Sequence, residues 1–249
     1  MNARHNCLSI SVEHRQLKEA LLCLVGTTLL HRVVPKFNYD TNNLKNYSLG
    51  SIGYEEVTLE SIDLTYARVN SPKLIDVVDQ EVTKFVDSIK QLQSITSGEL
   101  SYGSPFGTRQ GTVTSIDDYP PLLTTKLTLE FFKKRRRPWP LSEDIFPWEV
   151  WSIALNVVKA ERQEDFQRLR EDVGEKLSEQ VLKICQTVNQ PRMYLPPVPQ
   201  YSDLGLIFDC NFPDVQPYLF RLEYDSGKAP EFGLTDNFKK FFKESMHQF

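Results

Sequence analysis

Two adjacent features of the 249-residue sequence could do chemistry at a surface, and both lie between two strand-like segments. The first is the run Lys133-Lys134-Arg135-Arg136-Arg137. Such a run is either a solvated strand end or a contact for anionic lipid headgroups or an acidic partner, at ~1 kcal/mol per basic residue near an anionic surface. The second follows at once, as Pro138-Trp139-Pro140-Leu141. Pro138, Pro140 and Pro147 deny a β-ladder and favour a stiff, projecting turn. A tryptophan in that turn either folds back into the core or stands out as an anchor. Exposed aromatic anchors often contribute more than about 2 kcal/mol each at an interface.

Catalytic chemistry is not signalled. HExxH, GxSxG and Cys-His signatures are missing, and the histidines are scattered at 5, 14, 31 and 247. His31 travels with no nucleophile and reads as a capping or packing residue. The pair Asp117-Asp118 falls in a Gly-, Ser- and Thr-rich stretch where catalytic groups would be poorly preorganised. The glycines of that stretch match neither GxGxxG nor GxxxxGK[ST] spacing. Cys7, Cys23, Cys185 and Cys210 form no CxxC pair, so neither zinc ligation nor a redox motif is expected. No enzyme activity and no cofactor are therefore predicted.

The formal charge of −4 gives no general reason to expect nucleic-acid binding, so any basic site must act locally. The most apolar run, Ala20 to Leu30, is shorter than the ~20 residues that span a bilayer, so no transmembrane segment is expected. Met1 to Asn6 lead into a short apolar strand rather than a signal-peptide core. With the scattered cysteines, this predicts a cytosolic chain with reduced thiols. Asn46-Tyr47-Ser48 is then a chance match to the glycosylation sequon.

The elements that must position the two features read as follows. Cys7 to Val12 alternate as a strand, and Ser11 can cap a helix from Glu13 to about Arg32. That helix is apolar nearly all round, which predicts a central, buried position. Phe37 to Ser48 read as a surface loop, and Tyr47–Ile52 and Val57–Val69 as strands. Ser71-Pro72 start an amphipathic helix that runs to about Leu92. Ser94 to Thr125 lose periodicity and read as a disordered insertion in a single domain over 1–249. Lys126–Lys133 and Trp148–Ala160 are strands flanking the basic turn. Glu161–Gln190 form the longest helix, and its Gly174 suggests a close backbone contact. Tyr218–Asp225 form a last strand, and Leu234–Met246 a last helix. Strands adjoin without regular βα alternation, so the fold class is α+β, a mainly antiparallel sheet with helices on one side.

At several of these residues the chain resembles the autophagy-related protein 101 family, HORMA-domain subunits of the autophagy-initiation kinase complex. The resemblance is densest in Leu127-Thr128-Leu129-Glu130-Phe131-Phe132, Trp139-Pro140 and Pro147-Trp148-Glu149-Val150-Trp151. It continues in Val173-Gly174-Glu175-Lys176-Leu177 and Asp214-Val215-Gln216-Pro217-Tyr218-Leu219. Thr28–Arg32 and Ile62–Val69 fit as well. The resemblance implies a HORMA domain, a mainly antiparallel sheet backed by three helices, and a scaffold without catalysis. Its implied partners are the HORMA domain of autophagy-related protein 13, the kinase complex and downstream autophagy factors, at the phagophore assembly site in the cytoplasm. The long helix within Glu161–Asn189 would contribute to dimerisation. An exposed finger would recruit the downstream factors. Trp139, Pro140 and Leu141 fall there, with Leu141 where the family carries phenylalanine. Two readings compete: a peripheral lipid- or acidic-partner-binding module acting through Lys133–Arg137, and a HORMA adaptor in another signalling pathway.

Overall fold

The computed structural model describes residues 3–40, 46–99, 115–138, 141–160, 162–191 and 193–224, with the backbone course alone for 92–99. In chain order the elements are β1 (Arg4–Glu13), α1 (Leu17–Leu30), β2 (Val33–Pro35), β3 (Phe37–Tyr39), β4 (Tyr47–Leu49), β5 (Tyr54–Thr58) and β6 (Thr65–Val69). They continue with α2 (Pro72–Glu99), β7 (Leu123–Arg135), β8 (Asp144–Val158), α3 (Gln163–Val188), β9 (Val215–Pro217) and β10 (Phe220–Tyr224). The main sheet has the order β1-β8-β7-β10. β7 and β8 form a long antiparallel hairpin, β10 adds antiparallel to β7, and β1 runs parallel to β8. The expected α+β class, with a mainly antiparallel sheet and three long helices, is what the chain adopts.

α1 occupies the centre. Ala20, Leu21, Cys23, Leu24 and Val25 have no exposed surface. The helix meets α2, α3 and β6, which explains why it lacks a polar face. Its start differs from the expected Ser11 cap. The β1 ladder continues to the Glu13↔Val158 pair, because parallel pairing with β8 satisfies the backbone that far. The buried Glu13 carboxylate then accepts from Arg15 N at 2.8 Å and Arg15 Nε at 3.1 Å, which shapes the turn into α1.

Several loops and strands are divided differently from the sequence reading. The expected 37–48 loop begins with a strand, β3, which pairs with β4 inside the expected strand 47–52, with a Phe37–Tyr47 edge contact at 5.1 Å. Cross-strand aromatic packing there outweighs the local asparagine content. The expected strand 57–69 is the β5–β6 hairpin, because Leu59 N donates to Leu64 O and closes a turn with Ile62 tucked inside. α2 continues to Glu99, and residues 115–125 are structured as a capped 3-10 turn at Ile116–Asp118 followed by β7. Asp172 on α3 pins that turn, accepting from Ser115 Oγ at 3.1 Å and Ile116 N at 2.6 Å, and Ile116 is fully buried. Of the expected 94–125 insertion, only 100–114 lie outside the described residues. The expected last strand 218–225 contains β10, paired with β7, and a further short strand, β9, precedes it and pairs with β2. The expected helix 234–246 lies outside the described residues.

Gly174 has a definite reason. A Cβ there would sit 2.7 Å from the carbonyl oxygen of Asp63, in the β5–β6 turn. The approach also lets Asp63 N donate to Arg170 O at 3.2 Å, tying that turn to α3. Gly174→Ala should therefore lower stability by about 1–2 kcal/mol, the overpacking outweighing the gain in helix propensity. Urea unfolding measures it; a variant as stable as the wild type would show that the turn yields freely.

A candidate interaction surface on the long hairpin

The β7–β8 hairpin carries both features found in the sequence. Its last rung is Arg135↔Asp144, and residues 136–143 connect the strands. Pro147 does not break the ladder as expected. It lies within β8 opposite Phe132, where the register shifts between Phe131 and Phe132. A bulge tolerates a residue without an N–H. Among the described residues β1 pairing begins at Arg4↔Glu149, and before it β8 pairs with β7.

Trp139 and Pro140 lie outside the described residues. Around them, Leu141 N donates to Pro138 O at 3.1 Å, which brings the two ends of the proline-framed tetrapeptide together. Leu141 is 58% exposed, and Ile145 and Phe146 are also exposed large apolar residues of this hairpin. An apolar residue whose backbone is already hydrogen-bonded has less entropy to lose on binding.

The five cations divide into two groups. Four meet carboxylates: Lys134 with Glu143 at 3.3 Å, Arg135 and Arg137 with Asp144 at 2.9 and 2.8 Å, and Arg136 with Asp203 at 3.2 Å. The two arginines hold the Asp144 carboxyl below the usual carboxylate range, Arg135 contributing the larger part through its hydrogen bond. These pairs are exposed and individually weak. Collectively they lower the positive field that the sequence advertises.

Lys133 is different. Its ammonium donates to the Tyr194 hydroxyl at 3.1 Å and lies 5.6 Å from the centre of that ring. Among the described residues no carboxylate faces it. Lys133 forms a cross-strand pair with Phe146, whose ring also lies 4.8 Å from the Arg135 guanidinium. With Trp148 and Tyr194 these residues line a groove of about 360 Å³. Sequence reasoning found Lys133 and Arg135 but not Phe146 or Tyr194 as members of a site. Phe146 was legible, since it faces Lys133 once the hairpin register is drawn. Tyr194 was not, because it arrives from the segment after α3.

The α3 helix is committed to the sheet along one side. Lys183 Nζ donates to Cys7 O at 2.9 Å, and Gln180 Oε1 accepts from Ser9 N at 3.4 Å, so α3 covers the free edge of β1. Its outward positions include Glu175, Ser178, Glu179, Leu182 and Gln186, with Leu182 57% exposed. His31 packs against α3 as expected, with Nε2 at 3.7 Å from Cys185 Sγ. Burial, and then the Arg32 charge, pull its pKa below the ordinary histidine value. Among the described residues no group of three or more His, Cys, Asp or Glu could hold a metal ion, and no helix is long and apolar enough to cross a membrane.

Comparison with known proteins identifies the family. The sequence model of the Autophagy-related protein 101 family matches residues 9–202. Autophagy-related protein 101 of Xenopus laevis and that of Homo sapiens are each 32% identical over 246 residues, covering 99% of this chain and 99% of the relative. The Arabidopsis thaliana protein of the same name is 20% identical over 251 residues, covering 93% of this chain and 90% of its own length. With a family match over most of the chain and relatives aligned end to end, this protein belongs to the autophagy-related protein 101 family.

Proposed function

We propose that the chain is a non-catalytic HORMA-domain adaptor of the autophagy-initiation kinase complex. In this reading it binds and stabilises the HORMA domain of autophagy-related protein 13. It recruits downstream autophagy factors through a finger formed by Trp139, Pro140 and Leu141, at the phagophore assembly site in the cytoplasm. Family membership supports a role in autophagy, and it is the observation that carries the proposal. The long β7–β8 hairpin, with Leu141 exposed beyond its last rung, supports the finger. The outward face of α3, with Leu182 as its exposed apolar residue, is the face available for pairing.

Purified chain and the partner HORMA domain should co-elute as a heterodimer at micromolar concentration. Leu182→Glu should separate them without changing the unfolding midpoint, because the side chain is exposed and surface substitutions rarely move stability by more than about 0.5 kcal/mol. Persistent separation of the wild-type pair would refute the adaptor assignment. Unchanged co-elution of Leu182→Glu would move the interface off α3.

A second reading assigns Lys133–Arg137 to an anionic lipid surface or acidic partner. The exposure of Arg135 and Arg136 favours it. Glu143, Asp144 and Asp203 restrict it to a weak, salt-screened attachment. Flotation with phosphatidylserine vesicles distinguishes the two, since loss of flotation in Arg135→Glu/Arg136→Glu leaves heterodimer formation intact under the adaptor reading.

A further inference from the structure

We infer that the groove between β8 and the segment after α3 is a peptide-docking site for an extended acidic segment of a partner protein bearing one bulky apolar residue. It lies on the last rungs of the hairpin, next to the connection 136–143, and does not depend on the HORMA reading. Three observations carry it. The groove holds about 360 Å³, enough for a large side chain and part of its neighbours, within the range of ligand pockets. Its walls are apolar where an anchor would seat, with exposed Phe146 on one side and the Trp148–Tyr194 pair, 6.3 Å between ring centres, on the other.

The charge is the second observation. Lys133 is half-buried and held only by a phenol among the described residues, whereas its four basic neighbours each have a carboxylate. A half-buried cation without a counter-charge gains from an incoming carboxylate, and Arg135 over Phe146 reinforces the sign. A basic or neutral peptide gains nothing there.

The strand edge is the third. Among the described residues β1 pairs with β8 only from Glu149 onward, and an extended segment can lie along such a strand with alternate side chains entering the groove. Pro147 lacks an N–H, so this edge recognises its partner mainly through side chains.

Short random peptides displayed on phage, selected on the full-length chain, provide the probe. Enriched sequences should pair Asp or Glu with a nearby aromatic or long aliphatic residue. The selected peptide, labelled and titrated by fluorescence anisotropy, should lose about tenfold or more in affinity with Lys133→Glu and with Phe146→Ala. It should bind Lys90→Glu, on the exposed face of α2, as it binds the wild type. Phe146 is on the surface, so thermal unfolding of Phe146→Ala should match the wild type and exclude misfolding as the cause. Failure to enrich any peptide would overturn the proposal, as would enrichment of basic ones or unchanged affinity in both groove variants. Phosphatidylserine vesicles that bind through Lys133 and Phe146 while no peptide does would instead identify the groove as a lipid contact.

Discussion

Glu149→Gln is expected to destabilise the protein by about 3–5 kcal/mol, enough to remove much of the stability of an ordinary domain. Glu149 and Arg32 are 1% and 3% exposed. Arg32 Nε donates to one carboxylate oxygen at 2.5 Å and Nη2 to the other at 2.8 Å. The guanidinium also donates through Nη1 to His31 O, and the backbone carbonyl of Arg32 accepts from Tyr218 N at 3.0 Å. The pair thus joins the end of α1, the middle of the sheet and the returning C-terminal strands. Glutamine keeps the shape but leaves the buried guanidinium uncompensated. The pair itself need not be strongly stabilising, because desolvating both ions offsets most of their attraction. The double variant Arg32→Met/Glu149→Leu should therefore recover most of the loss. Urea unfolding of the single and double variants checks both statements. A single variant within about 1 kcal/mol of wild type would mean that water reaches the site.

Two tryptophans should behave in opposite ways. Trp151 is 1% exposed and stands between Asn6 on β1 and Leu129 on β7, so Trp151→Ala should cost about 3–5 kcal/mol through lost burial and the cavity left behind. Trp139→Ala should leave stability within about 0.5 kcal/mol of the wild type and still block recruitment of downstream autophagy factors and autophagosome formation. Leu141→Phe, which adds an aromatic face beside Trp139 in the sequence, should strengthen that recruitment. The decisive comparison is thermal unfolding beside an autophagosome count. If Trp139→Ala unfolded as early as Trp151→Ala, Trp139 would be a core residue and the finger would not exist.

Much of the fold was legible because burial leaves a periodic trace. The nearly all-apolar α1 signalled its central place, and Leu127, Leu129 and Phe131 signalled the core face of β7. Boundaries were less legible where long-range pairing decides them. β1 runs on to Glu13 because β8 lies alongside, and nothing local at Ser11 predicts that. The β3–β4 hairpin hides in asparagine-rich sequence because Phe37, Tyr39 and Tyr47 find each other only across the turn. Gly174 announced a close contact, but Asp63 is its partner only through the packing of α3 on the β5–β6 turn.

The same division runs through the candidate site. The sequence by itself determined that a basic run and a proline-framed tryptophan are adjacent between two strands, and which family the chain belongs to. Residue type and spacing along the chain suffice for that, since covalent neighbours stay neighbours. Tertiary structure alone decided the electrostatics of the run. Asp203 reaches Arg136 from a distant segment, Asp144 faces Arg135 through hairpin register, and Tyr194 comes over Lys133 after the whole of α3 has intervened. Charge acts through space rather than along the chain, so five like residues in sequence become four paired cations and one that faces a groove.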